Sequence, residues 1–227
     1  MELIPAKLPL LVKWLFPKYI WNIQTEEKVI YLTFDDGPTP EITQWTLDIL
    51  EQFKAKATFF CTGDNVQKHP EIFQGIVEKE HVIGNHTYSH PHGWKTSTET
   101  YLENVKQAQD IINFQLQNAT LSKQQSAVNN LFRPPYGQVT KKQGRKLIGL
   151  GYNIIMWTVL AIDWSEKTNK EQSLKNVIKN AKQGSIVVFH DSEKASENMQ
   201  YALPKVLEYF SEKGYQFKSL TPTMFRI

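Results

Sequence analysis

The 227-residue sequence predicts an α/β protein, a distorted (β/α) barrel in which about seven parallel strands alternate with helices. Three observations predict it. Runs such as VIYLTF (29–34) and SIVVF (185–189) are apolar almost throughout instead of alternating, the pattern of strands covered on both faces. Segments with helical apolar spacing separate most of these runs. Short polar motifs rich in Asp, His and Arg close several of them, and the carboxyl ends of strands are where such barrels carry their chemistry.

The elements follow in order. A strand over 29–34 leads to a helix over 40–53, whose Ile42, Trp45, Ile49 and Phe53 share one face and whose Pro40 suits the first turn. A strand over 57–61 precedes a helix over 66–79. A strand over 81–84 is followed by a long helix over 97–116, lined by Tyr101, Val105, Ala108, Ile112 and Leu116. Residues 117–129 are polar and read as a surface connection. Strands over 130–133, 154–158, 185–189 and 215–220 alternate with helices over 139–150, 170–182 and 199–213. Residues 28–227 are expected to form the main domain, with 1–27 a strap or amphipathic segment. Within the latter, LPLLVKWLF (8–16) is interrupted by Lys13 and too short to span a bilayer, and no Ala-x-Ala-like cleavage site follows. A cytoplasmic or cell-envelope-associated protein is expected; weak membrane association of the N-terminal segment is the alternative to a strap that covers the domain.

Composition is that of an ordinary globular protein, 41% hydrophobic and 22% charged. The net charge of +3, without a basic stripe or zinc-finger spacing, argues against a nucleic-acid partner, and no obligate protein partner is evident. Cys61 is the only cysteine, so no intrachain disulfide forms.

The motifs are TFDDGP (33–38), HTYSH (86–90), RPPYG (133–137), Asp163-Trp164 and His190-Asp191. His86 and His90 stand i, i+4, so on one helical turn their imidazoles point the same way. Two imidazoles and a carboxylate suit zinc, cobalt, nickel or manganese; the other reading is two surface histidines. Asp35 and Asp36 would repel each other at the mouth of a strand unless a cation lay beside them; a solvated turn is the alternative. Arg133, held by Pro134 and Pro135, can orient a carboxylate, and Tyr136-Gly137 can offer a backbone N–H to an oxyanion, or the segment is a rigid turn. His190 ends an apolar run, as a core histidine or as a proton donor. Asp163-Trp164 offers an acid and an apolar wall.

Over about residues 28–220 this set resembles the polysaccharide deacetylases, the NodB-type carbohydrate esterases. The resemblance implies the distorted barrel and hydrolysis of acetyl groups from N-acetylglucosamine-containing oligo- or polysaccharide, chitooligosaccharide or peptidoglycan, with one divalent ion, zinc foremost. By resemblance Asp35 is the catalytic base and Asp36, His86 and His90 are the metal ligands. Arg133 tunes the base, Asp163 holds the arginine, the Tyr136 N–H completes the oxyanion hole and His190 is the general acid. Trp164, Pro134 and Pro135 are expected to line the sugar site, with His92 the other histidine placed to reach it. Leu160 stands where many members carry a further aspartate, and Val187 where a leucine is common; both point to altered substrate fit. An O-acetyl xylan-type esterase, a non-haem iron oxygenase and a non-catalytic sugar-binding module are the rival readings.

Overall fold

Strand β1 (Val29–Asp35) lies inside the sheet, apolar on both faces and buried at all seven of its residues. The structure, a computed structural model, describes residues 6, 10–118 and 130–225. The other strands are β2 (Thr58–Cys61), β3 (Val82–Asn85), β4 (Leu131–Phe132), β5 (Asn153–Ile154), β6 (Val159–Leu160), β7 (Ile186–His190) and β8 (Gln216–Phe217). All pairings are parallel, in the order β5-β4-β3-β2-β1-β7-β6, with β8 against the start of β1. The seven-strand path curls into an open half-barrel surrounded by helices.

Helices α1 (Leu10–Leu15), α2 (Ile42–Gln52), α3 (Gly63–Lys68), α4 (Pro70–Glu78), α5 (Thr98–Asn118), α6 (Lys141–Gly149), α7 (Lys170–Asn180) and α8 (Ser196–Glu212) complete the chain. The two-residue period of β1 divides its side chains. Ile30, Leu32 and Phe34 join the main core beneath α2, α4, α7 and α8, while Val29 and Tyr31 pack with Phe60, Leu131, Ile155 and Ile186 in a second cluster. Thr33 and Asp35 share the second face, so a carboxylate tops an otherwise apolar interior.

Residues 20–23 lie across the open side of the sheet. Ile20 bridges Ile155 in parallel, Asn22 bridges Ser185 antiparallel, and the Thr158 hydroxyl donates to the Trp21 carbonyl at 3.0 Å. These bonds fasten the segment to both the β5 and the β7 sides of the sheet.

Two expectations are corrected. The strand expected over 154–158 is two short ones, because the backbone between them bonds elsewhere: Met156 N–H donates to Ile20 O and Thr158 N–H to Ile186 O. The helix expected over 66–79 begins earlier and breaks at His69 (φ −130°), which precedes Pro70; a residue before proline is steered out of the helical region. Of the segment 8–16, expected to be a strap or amphipathic helix, α1 covers 10–15 while residues 8 and 9 lie outside the described ones, as do 119–129 of the expected surface connection.

Candidate active site

Register alone gathers the polar residues at one rim. Asp35 sits opposite Phe60 on one side and His190 on the other, and Asn85 is level with Phe132, so His86 and Arg133 emerge together one residue on.

Arg133 fills the interior below. It is fully buried, its guanidinium lies 4.1 Å from the Phe60 ring centroid, and each of its three nitrogens donates. Nη1 donates to Asp35 Oδ1 at 2.6 Å and to Thr33 Oγ1 at 2.7 Å, Nη2 to Met156 O at 3.1 Å and Nε to Ile155 O at 3.3 Å. The planar fork fixes the carboxylate in one orientation.

Asp36 turns away from its neighbour because its backbone is left-handed, at φ 83°. Its Oδ1 faces His90 Nε2 at 3.2 Å and His86 Nε2 at 3.6 Å, yet it is buried without a hydrogen-bond partner. One donor atom from each of the three residues lies within 4.8 Å of the others. Two ligands about 2.1 Å from a tetrahedral ion stand roughly 3.4 Å apart, so these spacings fit a divalent cation. An orphaned buried oxygen is the feature a cation would satisfy.

Protonation agrees with that fit. His86 Nδ1 is 2.8 Å from the Arg133 carbonyl, which makes it the N–H and leaves the Nε2 lone pair facing Asp36. Burial pushes the His86 pKa down to about 4, outweighing the neighbouring carboxylates, so the ring is neutral at pH 7. Burial works against charge on Asp36, but the imidazole of His90 and the positive charge of His190 outweigh it and hold its carboxyl well below the usual range.

The two histidines are not on a helical turn. Residues 86–90 form a loop in which Thr87 (φ 68°) and His90 (φ 56°) are left-handed, and that path brings the rings to 5.0 Å between centroids. Asn85 fixes the loop start by accepting from Thr87 N–H, and Asn104 on α5 accepts from the N–H groups of Tyr88 and Ser89.

On the other flank, His190 Nδ1 is 2.9 Å from Asp163 Oδ1, and its backbone N–H donates to Oδ2 at 2.8 Å. Burial lowers the His190 pKa, but the charge and bond of Asp163, with Asp36 and Asp35 behind it, raise it to about 9. His86 is therefore neutral and His190 cationic at pH 7, because of these two only His190 has a directly bonded carboxylate. This also corrects the expected pairing: Asp163 holds His190, and Arg133 is held by Asp35, Thr33 and two carbonyls. Spacing in sequence carried no information on which way Asp163 points.

Trp164 stands edge-on to the His190 ring, 4.5 Å between centroids, and is partly exposed. Pro134 and Pro135 are buried, which corrects their expected place on the sugar-binding surface; they stiffen the turn below it. That turn puts Tyr136 at φ 57° with the residue 54% exposed. It is closed by Gly137 N–H to Pro134 O and Gln138 N–H to Pro135 O, neither of which uses the Tyr136 N–H. His92 lies flat on the Tyr136 ring, 3.8 Å between centroids with planes 3° apart. His81 is a buried structural residue whose Nδ1 accepts from Ala57 N–H.

Sequence reasoning assigned no role to Asp191, although it stands in a motif. It is buried beneath the site, accepting from Gly37 N–H at 3.2 Å and Thr43 Oγ1–H at 2.6 Å. It thereby clamps the turn after Asp36, and a Cβ on Gly37 would collide with its carboxyl group. Burial pushes its pKa up to about 8. An acid directly after a strand-end histidine was the available signal.

With this geometry in hand, known proteins supply the context. The sequence pattern of the polysaccharide deacetylase family matches residues 22–155. A peptidoglycan-N-acetylglucosamine deacetylase of Bacillus cereus is 34% identical over 203 residues, covering 88% of this chain and 90% of that protein. The peptidoglycan-N-acetylmuramic acid deacetylase PdaA of Bacillus subtilis is 32% identical over 210 residues, 91% of this chain and 74% of that one. The crystal structure of a peptidoglycan N-acetylglucosamine deacetylase superposes with a TM-score of 0.82 at 31% identity, covering 96% of this chain and 97% of its own.

Proposed function

The chain belongs to the polysaccharide deacetylase family, and we propose that it hydrolyses N-acetyl groups of amino-sugar glycans, with peptidoglycan as the substrate. The observation that carries the reading is the unsatisfied Asp36 carboxylate oxygen facing two imidazoles, flanked by the Asp35–Arg133 and Asp163–His190 pairs. The matched pattern ends before Asp163 and His190; the resemblance names His190 as the acid, and the role of Asp163 as its partner rests on this geometry. The named activities of the two relatives support peptidoglycan over chitooligosaccharide.

Asp36, His86 and His90 would hold a divalent ion, and the donor set suits zinc as well as cobalt, nickel or manganese. Such an ion supplies Lewis-acid polarisation of the acetyl carbonyl and of a water. Asp35, fixed by Arg133, accepts the proton of the attacking water. The Tyr136 N–H offers a hydrogen bond to the oxygen on which charge develops. His190 donates its proton to the sugar nitrogen as the C–N bond breaks, releasing acetate and a free amine. Asp163 stabilises the imidazolium and sets its direction. Trp164 walls the acid side.

His190 must be protonated to act, so activity is expected to fall as pH rises through its pKa, raised to about 9. Asp163 provides the largest upward push on it. Asp163→Asn removes that charge, and the alkaline limb of kcat against pH should move to lower pH. An unmoved limb would assign it to another group.

The reading is tested by incubating the protein with peptidoglycan, chitin oligomers and acetylated xylan, measuring acetate and weighing the products. Loss of acetyl from amino sugars of digested peptidoglycan is expected, and the mass of each disaccharide half shows which sugar lost it. Acetate from xylan alone would replace the proposal with an O-acetyl esterase.

A further inference from the structure

The face formed by the end of α1, the residues after it and α6 is both basic and apolar, and the catalytic reading does not use it. Trp14 is 77% exposed and Leu15 54%, the former the most exposed large apolar side chain of the described residues. Beside them is a hollow of about 400 Å³ with Leu15, Phe16, Tyr19 and Ile148 among its apolar lining and Lys18, Lys141 and Arg145 as its charged groups. No acidic side chain lines it among the described residues. The charged groups of this lining are therefore all cationic. Lys142 and Lys146, further round α6, are engaged with Glu99 at 3.6 and 3.8 Å and add little.

The hollow is firmly built. Phe16 and Tyr19 stack at 5.2 Å, and Trp21 Nε1–H donates to the Phe16 carbonyl at 3.1 Å. Gly144 on α6 admits the Tyr19 hydroxyl so closely that a Cβ there would overlap it. The Thr140–Gln143 capping box starts α6, and Gln143 also donates to Gly93 O and Thr96 O.

We propose that this face docks on an anionic lipid bilayer, with Lys18, Lys141 and Arg145 at the headgroups and Trp14 and Leu15 entering the interface. Charge complementarity selects the anionic surface. The exposed indole and leucyl side chains select a lipid over a dissolved polyanion, because aromatic rings favour the membrane–water boundary and a polyanion gives them nothing to bury in. Among the described residues no helix is long and apolar enough to cross a membrane. This inference is independent of the proposed deacetylation.

The test is sedimentation of the full chain with vesicles of phosphatidylcholine alone and of phosphatidylcholine mixed with phosphatidylglycerol. Binding to the mixed vesicles, weakened by salt, is expected. The double variant Lys141→Glu/Arg145→Glu should lower that partition roughly tenfold or more, and Trp14→Ala should lower it at unchanged charge. Circular dichroism of both variants is expected to match that of the parent. Equal binding to both vesicle types, or anionic binding untouched by the double variant, would overturn the proposal. So would a Trp14→Ala protein that binds as the parent does while soluble polyphosphate competes the lipid away, which would mark a polyanion site.

Discussion

Asparagine in place of Asp35 is expected to cut turnover by roughly two orders of magnitude or more. The amide keeps an oxygen for Arg133 Nη1 but cannot take a proton from water. It also leaves a fully buried guanidinium without its counter-charge, and breaking such a pair costs about 3–5 kcal/mol. Thr33 Oγ1 and the carbonyls of Ile155 and Met156 still hold the arginine, so the protein is expected to fold with a lowered Tm. Rates are therefore compared well below that Tm, with circular dichroism recorded on the same sample. Near-parental acetate release by a folded Asp35→Asn protein would remove Asp35 from the mechanism.

Alanine in place of His190 is the second large effect, again about two orders of magnitude in kcat, with KM little changed because the ring donates a proton rather than anchoring sugar. Asp163 keeps its bond from the backbone N–H of residue 190, so its buried carboxylate is not abandoned. A discriminating comparison uses leaving groups of different basicity. An amine needs protonation to depart; an activated aryl acetate does not. The variant should lose most of its activity on the amide and far less on the aryl ester. Equal losses on both would argue that His190 shapes the site without donating a proton.

Long strands buried on both faces were readable: 29–34 and 185–189 lie within the bounds of β1 and β7 except at single end residues. Strand β6 has only two residues, and nothing in its composition separates it from the run before it. The break before Pro70 was signalled by the proline itself but was overridden by the apolar period on either side. At the site, residue types were more legible than directions. His86 and His90 do converge with Asp36, but through a loop with two left-handed residues, which i, i+4 spacing cannot reveal. The partner of Asp163 depends on strand register and on the turn after β6, both tertiary facts. Pro134 and Pro135 were placed correctly along the chain and wrongly in depth, since a motif does not show how much of it is covered.

The central claim is that Asp36, His86 and His90 together bind the ion on which deacetylation depends, and metal analysis paired with acetate release tests it most directly. The parent protein should carry about one equivalent of divalent metal per chain, lose activity when a chelator removes it and regain it on zinc addition. His86→Ala and Asp36→Ala should fold, bind no metal and release no acetate. Undiminished deacetylation by the stripped protein, or full metal content in those variants, would contradict the account.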